Sequence, residues 1–225
     1  MRTLAIGDIH GCSAAFDHIL KMVRPQKDDI VVTMGDYVDR GPDSKGVLDR
    51  MLILKEHCQL IPLKGNHEMM MLESRADAEW ERSWRSHGGE TTLLSYAPQK
   101  DRRGLNDIPA AHWEFIENDC LDYWETGSHI YVHANLTPDL PLPEQPPFVL
   151  FWEFLSEQQP PHCSGKIMIC GHTSLRSGYP LHLGHAICID TYAYGGGFLS
   201  CLDVGSGKVY QASQSGMKRE MKLRR

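Results

Sequence analysis

Five short runs of this chain carry side chains able to do chemistry: Gly7-Asp8-Ile9-His10-Gly11, Gly35-Asp36-Tyr37-Val38-Asp39-Arg40-Gly41, Gly65-Asn66-His67-Glu68, His133-Ala134-Asn135 and Gly171-His172-Thr173. The second sets two carboxylates and a guanidinium between two glycines, directly after the apolar run Ile30-Val31-Val32-Thr33-Met34. A single Asp-x-His after a strand is ordinarily a turn with a capping carboxylate, and a single Gly-His is ordinarily a turn. Five such clusters, each at the carboxyl end of a strand-like run, are hard to explain as turns. Ligands that converge at strand ends make a site.

The donor types narrow the chemistry. Asp8, His10, Asp36, Asn66, His133 and His172 offer oxygen and imidazole donors and no thiolate. That mixture suits manganese, iron or zinc better than a cysteine-rich structural zinc site. Asp8 and His10 are two apart, so extended backbone would turn both to one face. Asp36 has two carboxylate oxygens and can bridge two ions. Six ligands exceed the needs of one catalytic metal with open positions. They suit two ions about 3.5–4 Å apart, a pair that holds a hydroxide at neutral pH and clamps the oxygens of an in-line displacement at phosphorus.

His67 follows Asn66, so in extended backbone its ring would point away from the ions, free to protonate a leaving oxygen or to hold the phosphate. Asp39 could orient that imidazole, or merely cap the turn. Arg40 offers a planar fork for phosphate, though an Asp-Arg pair in a tight turn is also an ordinary salt bridge. Glu68 reads as a supporting or helix-starting acid rather than a catalyst.

The elements that would position these groups follow a βαβ grammar. Thr3-Leu4-Ala5-Ile6, residues 30–34 and Gln59-Leu60-Ile61-Pro62-Leu63 read as strands, the last at an edge or bulge because of its proline. Between them, Phe16, Ile19, Leu20 and Val23 recur at helical spacing behind Ser13 as N-cap, and Pro42-Asp43-Ser44 opens a second helix. Such alternation with short links makes right-handed βαβ units. Residues 69–127, with Trp80, Trp84, Trp113 and Trp124 among charges and a polar break at 98–104, read as a mostly helical insertion. Strands resume at 129–132, 166–170, 186–189, 198–204 and 209–212, the last two joined by Gly205-Ser206-Gly207. The five prolines of 138–147 mark a loop. One domain is expected over residues 1–213, with a basic, frayed tail over 214–225.

Composition sets limits. The chain has 225 residues, 41% apolar and 23% charged, enough to bury a core without disulfides. Its net charge of −6 does not advertise nucleic-acid binding. Seven cysteines, with no C-x-x-C spacing, fit small buried hydrophobes in a reducing compartment. No apolar run reaches the length of a membrane span, and the chain enters its first strand without a leader, so a cytoplasmic protein is expected.

The first three clusters resemble the signature blocks of the phosphoprotein phosphatase family, bacterial Ser/Thr type, within the calcineurin-like metallophosphoesterases. His133-Ala134 and Gly171-His172-Thr173 resemble its later histidine blocks, in order from residue 3 to about 204. The resemblance implies an α/β four-layer sandwich with two central mixed β-sheets flanked by helices. It implies that Asp8, His10 and Asp36 bind one divalent ion and Asp36, Asn66, His133 and His172 another, most simply manganese. His67 and Asp39 would form the acid dyad, and Arg40, Asn66 and Lys64 would hold phosphate. Asp190 resembles a family position with a supporting role.

Three departures accompany the match. Lys64 stands where arginine is usual, exchanging a fork for a point charge. No arginine accompanies Phe151-Trp152-Glu153-Phe154, so Arg176 or an arginine of the insertion would have to substitute. Tyr192 replaces glycine after Asp190-Thr191.

The function expected is metal-dependent hydrolysis of phosphate monoesters, on a phosphorylated protein (Ser/Thr or Tyr) or a small phosphate ester. The alternative is a symmetrical bis(5'-nucleosyl)-tetraphosphatase or another nucleotide phosphohydrolase. Those tetraphosphatases share the blocks but usually carry aspartate where Glu68 stands. A non-catalytic metal-binding module is disfavoured, because all six ligands, His67 and Asp39 are present.

Overall fold

Strand alternation builds the architecture. In β1 (Thr3–Ile6), Leu4 and Ile6 enter one core and Ala5 another; in β2 (Ile30–Thr33), Val31 and Val32 divide the same way. β5 (His129–Val132) and β6 (Ile167–Cys170) send Ile130, Val132, Met168 and Cys170 to a third core, and Tyr131 and Ile169 to the one shared with Ala5 and Val32. Strands buried on both faces need cover on both sides. The result is a four-layer α/β sandwich: helices, two face-to-face sheets, and a thinner outer layer built on α7 (Pro147–Trp152). The computed structural model describes residues 1–97, 99, 101 and 103–224.

The first sheet has the order β11-β10-β9-β1-β2-β3, with β3 at Gln59–Pro62, β9 at Leu199–Asp203, β10 at Lys208–Ala212 and β11 at Lys218–Lys222. β1, β2 and β3 are parallel, joined by α1 (Ser13–Val23) and α2 (Ser44–His57). The second sheet has the order β4-β5-β6-β8-β7, in which β5, β6 and β8 (Ala186–Cys188) are parallel. Its antiparallel edges are β4 (Tyr123–Glu125) and β7 (Leu181–His182). β3, with Pro62, is an edge strand, as its proline predicts.

The insertion is helical through α3 (Asn66–Glu73), α4 (Ala78–Trp84), α5 (Glu90–Tyr96) and α6 (Ala110–Glu114). Its last residues depart from the expectation by forming β4. Ser13 is the first residue of α1 rather than its cap; Cys12 holds the N-cap and makes no side-chain bond.

The expected frayed tail is also corrected, because β11 pairs with β10 from Ala212↔Lys218 to Lys208↔Lys222. Exposed Lys218, Glu220 and Lys222 alternate with partly buried Arg219 and Met221, the period of an edge strand. Arg219 lies between the rings of Tyr179 and Phe198, 4.4 and 4.0 Å from their centroids. Pro98, Lys100 and Arg102 of the polar break, and Arg225 of the tail, lie outside the described residues. No helix among the described residues is long and apolar enough to cross a membrane.

Candidate active site

The parallel strands deliver the residues that follow them to one edge, where their turns interlock. The Ile9 and His10 N–H groups donate to the Asp36 carbonyl at 3.0 and 2.7 Å, and the Gly171 N–H donates to the His133 carbonyl at 2.8 Å. Seven described non-glycine residues have positive φ, and six of them lie in these strand-end turns: His10, Asp36, Asp39, Arg40, His172 and Tyr192. Left-handed backbone costs about 1–2 kcal/mol per residue and persists where its surroundings over-determine it.

Glu68 is one such determinant. Its buried carboxylate accepts four backbone N–H groups, from Asp36 (2.7 Å) and Gly65 (2.9 Å) at Oε2 and from Tyr37 (2.7 Å) and Val38 (3.2 Å) at Oε1. Burial, then the Asp36 charge, pushes its pKa up to about 8, with the donors at Gly65, Tyr37 and Val38 pulling the other way.

Three imidazoles are each pinned by a backbone carbonyl. His10 Nδ1 donates to Val38 (2.9 Å), His133 Nδ1 to Met34 (2.7 Å) and His172 Nε2 to Trp152 (3.1 Å). The opposite nitrogens face inward: His133 Nε2 and His172 Nδ1 lie 3.0 and 3.2 Å from Asn66 Oδ1, and His10 Nε2 lies 3.3 Å from Asp36 Oδ2. Ligand atoms of Asp36, His133 and His172 fall within 4.8 Å of one another, and so do those of His10, Asp36 and His67. Asp36 belongs to both groups. Asp8 Oδ2 accepts the His172 N–H at 2.9 Å, while its buried Oδ1 has no partner among the described residues. Imidazoles tied at one nitrogen to a carbonyl are the usual second-layer support of a metal site. A buried carboxylate oxygen without a partner is costly unless a cation meets it. The residues therefore fit divalent metal ions.

Charge is unevenly held in this cluster. Burial, then the charges of Asp190 and Asp36, pushes Asp8 well above the usual carboxylate range. Burial acts the same way on Asp36, but the imidazoles of His133, His67 and His10 outweigh it and hold Asp36 well below that range. Burial, then His133, pulls His172 down to about 4, so it is neutral and able to ligate at neutral pH. Burial opposes a charged His10, but Asp36 outweighs it and raises the pKa.

The extended-backbone expectations fail. His10 has φ 44°, and Asn66 and His67 open α3. His67 does not point away from the cluster; its ring stands edge to face against His10 with centroids 4.8 Å apart. Its Nδ1 lies 2.7 Å from Asp39 Oδ2, and its buried Nε2 has no partner among the described residues. Asp39 also accepts from the Trp84 indole, 2.9 Å from Oδ2, and from the Thr92 hydroxyl, 2.7 Å from Oδ1. Both partners come from the insertion. Burial lowers the His67 pKa against the pull of Asp36 and Asp39.

Among the expected phosphate contacts, Arg40 is exposed at the cluster, its guanidinium 4.7 Å from the Tyr194 centroid and its Nη1 3.2 Å from His10 Nε2. Lys64 is not there. Its ammonium sits 3.4 Å from Asp122, and its N–H is spent on the Leu121 carbonyl at 2.7 Å. Leu63 before it is fully buried, so alternation turns Lys64 outward.

The substitute arginines are placed as follows. Arg176 lies over Tyr192, 5.5 Å from its centroid, and Tyr192 packs on Tyr194 at 4.9 Å. Arg75, Arg85 and Arg103 of the insertion are engaged by Glu117, by Glu81 and Glu90, and by the Ala97 carbonyl. Asp190 accepts from the Ser174 hydroxyl (2.6 Å) and the Tyr192 N–H (3.0 Å), which braces the loop. Asn135 likewise ties its own loop, to Leu136 N–H and the Phe154 carbonyl.

A calcineurin-like phosphoesterase profile matches residues 1–196, and the chain belongs to that family of metallophosphoesterases. The chemistry of that family uses divalent metal, and the chain spans only about a quarter to two fifths of the length of the first curated relatives it matches. The chain is similar to Serine/threonine-protein phosphatase 1 of Salmonella typhimurium, 40% identical over 90 residues that cover 38% of each chain. It is also similar to a bis(5'-nucleosyl)-tetraphosphatase, asymmetrical, of Anoxybacillus flavithermus, 26% identical over 221 residues that cover 88% of each. In fold it resembles the cold-active protein-tyrosine phosphatase of a Shewanella species, with TM-score 0.70 at 16% identity over 99% of this chain and 80% of that one.

Proposed function

We propose that the protein is a cytoplasmic, manganese-dependent phosphomonoesterase acting on phosphoserine, phosphothreonine or phosphotyrosine of a protein. The observation that carries this is the buried His67–Asp39 pair: His67 Nε2 has no partner among the described residues, and His67 belongs to one of two donor groups that share Asp36. Asp8, His10 and Asp36 would hold one ion, and Asp36, Asn66, His133 and His172 the other. When bound, the ions supply Lewis acidity toward phosphoryl oxygens and an activated water. Arg40 grips the phosphate with its planar fork, held out over the Tyr194 ring. His67 gives the proton on Nε2 to the leaving oxygen, while Asp39 accepts from Nδ1 and keeps the ring oriented. The Salmonella relative supports the protein substrate.

The test is hydrolysis of phosphopeptides and 4-nitrophenyl phosphate with manganese, iron, zinc or magnesium added to metal-stripped protein. Manganese stimulation is expected, and His67→Asn should lower kcat toward a phosphoserine peptide by roughly 10²–10⁴-fold, with far less loss toward 4-nitrophenyl phosphate. No turnover with any metal sinks the proposal. A second reading, hydrolysis of dinucleoside polyphosphates, draws on the relative matched over 88% of its length. Chromatography of diadenosine tetraphosphate digests decides between them, and a clear preference for that substrate would replace the first reading.

A further inference from the structure

We infer that Trp84 and Thr92 are positioning residues for the His67–Asp39 pair: their bonds to Asp39 fix the carboxylate so that His67 presents Nε2 to the leaving-group oxygen. This rests on His67 being the proton donor. Trp84, Gly88 and Thr92 recur four apart along α4, the kinked turn Arg85–Gly89 and α5, and form one stripe against the Asp39-Arg40 turn. Gly88 has φ 121°, and a Cβ there would stand 2.9 Å from Arg40 N and 3.1 Å from Asp39 Cβ. The stripe approaches that turn as closely as a bare backbone permits.

The donors divide the carboxylate between them. Oδ2 meets His67 Nδ1 at 2.7 Å and the Trp84 indole at 2.9 Å, and Oδ1 meets the Thr92 hydroxyl at 2.7 Å and the same indole at 3.1 Å. The Thr92 hydroxyl also accepts the Asp39 N–H at 2.8 Å, so backbone and carboxylate are held by one group. An aspartate's terminal torsion is otherwise broad, and an imidazole bonded to a carboxylate that swings would carry its far nitrogen with it. The bland alternative is that a buried indole simply needs an acceptor, and Asp39 is the nearest. The two differ in what the loss of the donor does to catalysis.

Trp84→Phe keeps an aromatic side chain, though a smaller one, and removes the N–H; Thr92→Val keeps the shape and removes the hydroxyl. Protonation matters for the poor serine leaving group and little for 4-nitrophenolate. Each variant should therefore lose roughly tenfold or more in kcat toward a phosphoserine peptide, with KM held and far less loss toward 4-nitrophenyl phosphate. Thr92→Ser should restore the wild-type ratio between the substrates. Trp84→Phe should change nothing further in a His67→Asn background. Parallel losses on both substrates, a fall in Tm with the ratio intact, or a further loss on top of His67→Asn would each overturn the inference. If His67→Asn itself leaves the substrate ratio unchanged, the proton-donor reading falls and the inference with it. If His67→Asn collapses the ratio and Trp84→Phe and Thr92→Val do not, the inference alone falls.

Discussion

Glu68 Oε2 accepts the Asp36 N–H at 2.7 Å, and its other oxygen takes the N–H groups of Tyr37 and Val38. The carboxylate thereby ties the first turn of α3 to the turn that carries Asp36. Glu68→Gln tests this with almost no change of volume, because an amide must direct its NH2 at two of the four N–H groups. Leaving buried donors unpaired costs about 1–3 kcal/mol each. Urea denaturation should show a loss of about 2–4 kcal/mol, together with reduced metal content. Wild-type stability in this variant would show that the clamp holds nothing.

Asp29 supplies a pH-dependent contribution far from the chemistry. It is buried and accepts from Arg2 N–H (2.8 Å), Arg2 Nε (3.1 Å) and Gln26 N–H (2.9 Å). The Arg2 side-chain bond, aided by these backbone donors and opposed by burial, lowers its pKa to about 2. The folded value lies below the unfolded one near 4, so the folded state binds fewer protons. The stabilisation, on the order of 2 kcal/mol, is present above about pH 4 and lost as pH falls toward 2. Arg2→Met should be less stable than wild type near pH 7, and the gap should shrink by about pH 2.5. A gap independent of pH would refute the linkage.

Much of this molecule is local in sequence, and that much is legible there. The candidate ligands sit one to four residues beyond short, mostly apolar strands, so strand and chemistry are read from the same ten residues. Geometry was less accessible. His10 reaches the cluster through a left-handed turn, and Asn66 and His67 through a helix start, where alternation along an extended chain no longer applies. Trp84 and Thr92 lie 45 and 53 residues from Asp39, and no local period announces a partner at that range. Their spacing with Gly88 would suggest one helical face, but Gly88 breaks the helix with φ 121°, and the spacing does not say which turn the stripe would meet. The basic charge of 218–225 concealed the alternation of β11. Lys64 occupies a position suited to phosphate binding, and its orientation was decided by strand parity.

Gly171 is where the second sheet approaches Asp8. A Cβ at this position would collide with Asp8 Oδ1, and its backbone is not in the left-handed region. Gly171→Ala should therefore fold, but displace the carboxylate. Metal analysis should show a loss of about one of two ions per chain, with hydrolysis down on the order of 100-fold. Full metal content and activity would mean that Asp8 is not a ligand.

Arg40 has no carboxylate partner among the described residues and rests on Tyr194. An exposed cation–π contact is worth roughly 0.5–1 kcal/mol, enough to hold a guanidinium forward and too little to matter for the fold. Tyr194→Leu should leave Tm unchanged and raise KM several-fold, with kcat nearly unaffected. Arg40→Ala removes charge-assisted bonds worth about 1.5–3 kcal/mol, so kcat/KM should fall about 10–150-fold. Inhibition by inorganic phosphate should weaken in step, because the fork binds product as it binds substrate. Arg40→Lys should recover only part, since a point charge replaces a two-pronged donor. Lys64 is turned toward Asp122 and cannot compensate. An unchanged inhibition constant for phosphate in Arg40→Ala would remove Arg40 from the binding of the phosphoryl group.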